Sequence, residues 1–151
     1  MNTCDLLAYK AIGKRFFPNE DWDAGVERVA RLIQKWPDGL FGVWKADEIV
    51  GYIALWPLTA DAAFGVESGV ISDERIDADL LPSSFMVPHS HWICTTIAID
   101  EPDKSVRRII RQLLVNFMLE STRRNRPCEI YSHAVTAAGR RFCLRNGFVF
   151  R

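Results

Sequence analysis

Residues 92–150 restrict the fold of this chain more than any other stretch. They have the pattern of a short apolar strand, a long amphipathic helix, a second strand and a short helix that runs into Asn146-Gly147-Phe148. The first three elements form a strand–helix–strand unit, which joins parallel strands of one sheet. The start of the helix in such a unit often binds phosphate, because unpaired backbone N–H groups point out of a helix N-terminus.

The long helix carries one apolar stripe at three- and four-residue spacing. The stripe consists of Val106, Ile109, Ile110, Leu113, Leu114, Phe117 and Met118. Arg107, Arg108 and Arg111 lie off this stripe near the helix start, where cations are disfavoured by the helix dipole. Either a bound anion compensates for these arginines, or they form an ordinary solvated face. Asp103 or Ser105 is the predicted cap.

The composition indicates a single globular domain over residues 1–151. Hydrophobic residues make up 48% of the chain and charged residues 25%, and no apolar run approaches the length of a membrane span. The N-terminus lacks the basic and apolar regions of a secretory signal, so we expect a cytoplasmic protein that does not enter a membrane.

The cysteines and histidines predict neither a disulfide framework nor a metal site. The four cysteines are widely spaced, as in reduced cytosolic proteins. His89 and His91 form a His-x-His pair, but no cysteine or carboxylate follows at ligand spacing. We therefore expect no bound metal.

The charges are unevenly distributed although the formal net charge is zero. Residues 59–90 contain six acids and one base, whereas residues 104–126 contain seven bases and one acid. Two differently charged ligands, or docking of the two regions on each other, would explain this pattern. Nucleic-acid binding is not expected, because no basic excess remains overall.

The rest of the chain predicts helices, a hairpin and one long excursion. The spacing predicts helices over residues 4–17 and from Asp21 or Asp23 to Lys35, and a β-hairpin of Leu40–Lys45 with Ile49–Trp56. Residues 58–90 form an irregular acidic excursion with helical turns near Asp61–Glu67 and Asp73–Leu80. Strands follow at Trp92–Ile99, Glu129–His133 and Phe148–Phe150, with a short helix at Thr136–Arg145.

This order of elements resembles the GCN5-related N-acetyltransferase (GNAT) family over roughly residues 20–150. The resemblance rests on Ile97-Ala98-Ile99 before the long helix, on Leu113-Leu114 within it, and on the tail from Thr136 to Gly147-Phe148. It implies an α/β (α+β) fold. The sheet would be mixed and mostly antiparallel, with a splayed central pair of parallel strands flanked by helices.

The resemblance implies acetyl-CoA as the co-substrate. In this family the pantetheine arm pairs with a strand that has lost its neighbour, here through the backbone of Ile97, Ala98 and Ile99. The pyrophosphate would lie on the start of the long helix, over Val106, Arg107, Arg108, Ile109, Ile110 and Arg111. Thr136 stands near the place of a common asparagine, and either binds the cofactor or caps the short helix.

Three departures from the family pattern bear on activity. Glycines of the phosphate loop are replaced by Arg108 and Ile110, and arginine side chains would have to compensate. The usual general-acid tyrosine is replaced by Cys143, which is either the acid or a small buried residue. The chain also begins with a helix where members begin with a strand. An exposed sheet edge would then need cover, and a homodimer is one way to supply it.

The resemblance further implies acyl transfer to a primary amine of a small cationic molecule or a protein. The amine needs a base, and the candidates are Glu129, His133, Glu67 and His91. We take Cys143, His133 and Glu129 as the predicted catalytic residues, although Glu129 and His133 also fit a surface acid and a strand-end hydrogen bond. The alternative function is a catalytically idle module of the same fold that binds CoA or a protein partner.

Overall fold

The computed structural model describes residues 3–84, 88–134 and 136–149. Within them the chain forms five α-helices and four strands, with short 3₁₀ turns between. In chain order these are α1 (Thr3–Phe16), α2 (Trp22–Lys35), β1 (Leu40–Lys45), β2 (Glu48–Pro57), α3 (Ala60–Glu67), β3 (His91–Ile99), α4 (Lys104–Thr122), β4 (Glu129–Ser132) and α5 (Ala137–Arg145). The predicted order of elements is therefore confirmed from α1 to α5.

The four strands form one mixed sheet in the order β1-β2-β3-β4. The β1–β2 and β2–β3 pairs are antiparallel, and the β3–β4 pair, which α4 connects, is parallel. The sheet is thus mixed and mostly antiparallel, as the resemblance implies. The parallel pair lies at one end of the described sheet, however, and not at its centre. The predicted strand after α5 is not formed at Phe148 or Val149, and Phe150 lies outside the described residues.

Local signals set the ends of the helices. The carboxylate of Asp21 accepts hydrogen bonds from the backbone of Asp23 and Ala24, so it caps α2. Pro37 then opens a 3₁₀ turn that leads into β1. Between β1 and β2 a two-residue turn contains Ala46 in the left-handed region, with φ of +54°. These local features explain why helix and hairpin bounds could be read from the sequence to within two residues.

Two apolar cores lie on the two faces of the sheet. The first packs α1, α2 and α3 against the side of the sheet that carries Tyr52 and Trp56, both fully buried. The second packs α4 against the opposite side, where Ile53 and Trp92 are buried. Gly51 lets α4 approach, because a Cβ atom on it would lie 2.7 Å from Ile110 Cγ2.

The apolar stripe predicted for α4 is too wide. Ile110, Leu114 and Met118 are buried, but Ile109 is 60% exposed and Leu113 is 42% exposed. A single helix on one face of a sheet buries the side chains at the centre of its stripe, and the flanking ones remain in solvent. Ile109 and Leu113 are therefore surface residues, contrary to the sequence prediction.

The excursion between β2 and β3 packs against the first core in its described part. Besides α3 it contains 3₁₀ turns at Asp73–Arg75 and Ala78–Leu80, and it buries Ile76 and Leu81. The guanidinium of Arg31 on α2 binds the carboxylate of Asp77, with an Nη2–Oδ2 distance of 2.6 Å. One of the six acids of this segment is thus already paired within the chain.

Candidate functional site

The parallel pair of strands is much shorter than β3. Pairing runs from His91 opposite Glu129 to Cys94 opposite Ser132, where β4 ends. β3 continues through Ile99. In the described part of the chain, the second half of β3 therefore has β2 on one side and no strand on the other.

A β-bulge lies where β4 stops. In the β2–β3 register Ala54 pairs with Thr96 and Leu55 with Cys94, so Thr95 is an extra residue in β3. The Thr95 hydroxyl accepts a hydrogen bond of 3.2 Å from the Trp56 indole. A bulge of this kind bends its strand and increases the local twist, and here it follows Cys94, the last residue of β3 that pairs with β4.

The register shows which backbone groups of β3 face the unpaired side. Asp100 N donates to Val50 O at 2.8 Å, and paired positions then alternate along the antiparallel ladder. Ala98, opposite Tyr52, therefore bonds to β2. Ile97 and Ile99 direct their N–H and C=O groups to the other side. Of the three predicted backbone partners of a cofactor, Ile97 and Ile99 have backbone groups that face away from β2, and Ala98 does not.

The start of α4 already holds an anion, the carboxylate of Asp103. Asp103 Oδ1 accepts hydrogen bonds from Ser105 N at 2.8 Å and from Val106 N at 3.0 Å. These bonds lower the pKa of the Asp103 carboxyl, which keeps it charged. The predicted cap is thus formed by Asp103. It uses the amide of Val106, one of the predicted phosphate ligands.

The three arginines near the start of α4 differ in their contacts. Arg107 donates from Nε to the carbonyl of Glu101 at 2.8 Å and from Nη2 to that of Pro102 at 3.2 Å, so it holds the preceding loop. Arg108 is exposed and Arg111 half-buried. Neither forms a hydrogen bond or ion pair within the described structure. Two guanidinium groups therefore remain available to an anion.

Residues Ile109 and Ile110, also predicted at the phosphate site, point in different directions. The Ile109 side chain is in solvent and that of Ile110 is in the second core. Any contribution of either residue to phosphate binding would come from its backbone, but these amides lie beyond the first turn of α4.

Thr136 caps the N-terminus of helix α5, and its hydroxyl accepts a hydrogen bond of 3.0 Å from Gly139 N. Thr136 was predicted either to bind the cofactor or to cap this helix, and the structure shows the cap. Cys143 on the same helix is buried, with 6% of its surface exposed. Burial raises the pKa of the Cys143 thiol, so it is protonated at neutral pH.

Two of the four predicted base residues lie on β4 or just after it, and the other two lie on β3 and α3. Glu129 is exposed and its Oε2 accepts a hydrogen bond of 2.6 Å from the Tyr131 hydroxyl. His133 is also exposed and follows the end of β4 at Ser132. His91 bonds the Ser90 hydroxyl at 3.1 Å, and Glu67 ends the distant helix α3.

Asp73 is the titratable group that the sequence reading did not single out. Burial raises the pKa of its carboxyl to about 6, and the charges of His133 and Arg28 partly oppose this effect. The excursion thereby brings a carboxyl with a pKa near neutrality into the electrostatic reach of a predicted base. In the sequence Asp73 is one acid among six, and only the packing of its segment distinguishes it.

The part of the chain that the structure describes contains no group of three or more His, Cys, Asp or Glu residues that could hold a metal ion. Among the helices of that same part, none combines the length and apolarity needed to cross a membrane. In comparisons with known proteins, no family model and no curated protein matches the sequence.

Proposed function

We propose that this chain binds an acyl-CoA and transfers its acyl group to an amine, in the manner of GNAT acyltransferases. The observation that carries the proposal is the unpaired half of β3 after the bulge at Thr95. A pantetheine arm contains two amides and is extended, so it can pair with the outward N–H and C=O groups of Ile97 and Ile99 as an added strand would.

The diphosphate of the cofactor would then lie near the start of α4. Because Asp103 occupies two of the amides there, attraction must come mainly from side chains. Arg108 and Arg111 supply two guanidinium groups, which bind phosphate oxygens in a planar, two-point manner. Arg107 is a weaker candidate, since backbone carbonyls already bind it.

The chemical step is attack of the amine nitrogen on the thioester carbonyl carbon. The C–S bond breaks and the sulfur leaves as a thiolate, which takes a proton from the thiol of Cys143. The amine gives its proton to a base, for which His133 near Asp73 is the first candidate and Glu129 the second. We expect a cationic acceptor, because residues 59–90 contain six acids and one base.

A second candidate function is a CoA-binding module without catalysis. It is favoured by Cys143 at the position of the usual tyrosine acid, because burial raises the pKa of its thiol and makes it a weaker proton donor. In this case acyl-CoA would bind, but no amine would accept the acyl group.

Titration calorimetry with acetyl-CoA tests the proposal. We expect micromolar binding that the double variant Arg108→Ala/Arg111→Ala weakens about tenfold or more. The matched control is Arg124→Ala/Arg126→Ala, which removes the same charge from exposed positions after the other end of α4. Absence of binding at millimolar acetyl-CoA would overturn both candidate functions.

Thiol release with a panel of primary amines then distinguishes the enzyme from the module. Turnover that falls strongly in Cys143→Ala, with acetyl-CoA affinity unchanged, supports Cys143 as the acid. Tight binding without thiol release for any amine would favour the module.

A further inference from the structure

Strand β1 has β2 on one side and no strand on the other in the described structure. Gly42 lies opposite Tyr52, whose own backbone groups bond to β3, so Gly42 directs its N–H and C=O groups away from β2. The irregularity after Val43 adds a residue to β2 and none to β1, so the alternation continues along β1. Leu40 and Trp44 therefore also have outward backbone groups, whereas Val43 bonds to β2.

This edge lacks the usual protection against strand pairing. Edge strands commonly carry a charged residue or a proline, and residues 40–44 contain neither. The charged residue that ends β1, Lys45, is bound to the buried carboxylate of Glu101 at 2.8 Å. Trp44 beside it is 46% exposed. Residues 40–44 are thus open to an added strand.

A cavity of about 530 Å³ lies beside β1, and four of the six residues of this strand line it. Tyr52, which belongs to the first core, and Phe117, which packs against the second core, also line the cavity. Phe117 stacks on Phe41 of β1 with ring centroids 4.7 Å apart. Successive side chains of a strand point to opposite faces, so an added strand would find apolar surface for both sets.

The charged residues that line this cavity are both acidic. They are Asp38, two residues before β1, and Glu120 on α4; no Lys, Arg or His is among the described lining residues. Glu120 lies 3.7 Å from Arg123 and both side chains are 70% exposed, so their attraction is weak. The exposed Asp38 carboxylate forms no hydrogen bond or ion pair with another described residue. This end of β1 therefore offers a free negative charge to a cationic side chain.

We propose that β1 binds an extended segment of another protein, which adds to the sheet as one more strand. The segment carries β-branched side chains that pack against the cavity, and a lysine or arginine that reaches Asp38. This inference concerns the end of the sheet opposite to the acyl-CoA proposal and is independent of it.

The charges favour a segment of another protein over a second copy of this chain. A second β1 would bring Lys45 as its only cation, and Glu101 of the same chain already binds that ammonium group. A second copy would therefore leave Asp38 without a free cation at this edge. A basic segment from a partner supplies one, which fixes the register of the added strand.

Amide hydrogen exchange, followed for each residue by NMR, tests the pairing. The probe is a blocked peptide of about seven residues that alternates valine and threonine and has a lysine at each end. Either strand direction then brings a lysine to Asp38. In excess peptide we expect exchange at Gly42 and Trp44 to slow about tenfold, because their N–H groups gain partners. Val43, whose N–H already bonds to β2, should change much less. Unchanged exchange at Gly42 in millimolar peptide would overturn the proposal.

Asp38→Asn tests the charge contact. We expect this variant to bind the lysine peptide about threefold more weakly. The matched control is Asp47→Asn, which removes the same charge from the exposed hairpin tip, outside the cavity, and should leave the affinity unchanged. Circular dichroism checks that both variants fold. The same peptide with glutamate in place of lysine should bind about tenfold more weakly than the lysine peptide. Equal binding of the two peptides, or an equal loss in both variants, would contradict the assigned partner chemistry.

Sedimentation equilibrium of the full chain, with and without the lysine peptide, tests the other occupant. We expect the peptide to leave the oligomeric state unchanged, because it binds an edge that no second copy covers. A dimer that the peptide dissociates would show that a second copy occupies this edge, and would overturn the proposal.

Discussion

At each end of the described sheet a strand has backbone N–H and C=O groups that no neighbouring strand binds. The side chains around these groups differ between the two ends. At one end, β1 has no strand beyond it in the described structure, and Tyr52 and Phe41 line a cavity beside it. At the other end, the unpaired half of β3 leads into α4, which carries Arg108 and Arg111, and Asp73 lies within the electrostatic reach of His133 just after β4.

Side chains, and not the free backbone groups, therefore indicate what each edge would bind. An apolar groove stabilises the alternating side chains of a protein strand, whereas cations and an acid–base pair suit a ligand with charged ends. Each end of the sheet serves as the control for experiments on the other.

Proline substitution in β3 tests the assigned direction of its backbone groups and should have the largest effect. Ala98→Pro removes a bond to β2 inside the sheet, and we expect the free energy of unfolding to fall by about 3 kcal/mol. Ile97→Pro removes an outward N–H group and should cost only about 1 kcal/mol, mainly through the lost side chain. Urea unfolding measures both. Equal losses would mean that the alternation along β3 is assigned incorrectly.

Alanine substitutions at the two ends test whether one edge contributes to stability and the other to function. Phe41→Ala removes a half-buried ring stacked on Phe117, and we expect a loss of about 2 kcal/mol. His133→Ala removes an exposed side chain and should change stability by less than about 0.5 kcal/mol, while it lowers any acyl transfer. A similar loss of stability in both variants would remove the contrast between the ends.

The pH dependence of stability tests the surroundings of Asp73. Its pKa of about 6 in the folded chain lies above the ordinary value of 3.8. The folded state therefore binds more protons between these values, and stability falls as the pH rises through this range. Asp73→Asn should raise the free energy of unfolding by about 1–2 kcal/mol at about pH 7.5 and leave it unchanged at about pH 4.

The control for this measurement is Asp79→Asn, an exposed acid of the same segment. It changes the net charge equally but removes no buried carboxyl. If both variants show the same pH profile, the effect belongs to net charge and not to the site of Asp73.

The smallest expected effect is that of removing the Asp103 carboxylate, which caps the start of α4. Serine caps helices about as well as aspartate, so Asp103→Ser should change stability by less than about 0.5 kcal/mol. Removal of the negative charge should raise the affinity for acetyl-CoA about threefold, if the diphosphate lies there. Calorimetry measures this change. A lower affinity in Asp103→Ser would place the diphosphate elsewhere.

Local chemistry made most of the architecture predictable. Asp21, Asp103 and Thr136 cap the helices that their positions in the sequence suggested. The hairpin followed from two β-rich runs and a short turn. Capping and turns depend on residues within a few positions of each other, so the sequence alone is enough to predict them.

The sequence predicted less well which side chains are exposed and which distant segments lie close together. Ile109 and Leu113 match the periodicity of a buried stripe, yet they lie in solvent, because the area that the sheet offers to α4 accommodates only the centre of the stripe. The predicted strand is not formed at Phe148 and Val149, where the apolar run is too short to guarantee pairing. Acyl-CoA binding and the roles of Cys143, His133 and Glu129 stay predictions.

The sequence by itself determined the order of helices and strands, because periodicity, caps and turns act over short distances along the chain. Only the tertiary structure decided that β4 ends early beside β3, that Asp73 lies within reach of the charge of His133, and that a cavity lies beside β1. These features depend on distances between segments far apart in the chain, and packing of the whole domain sets those distances.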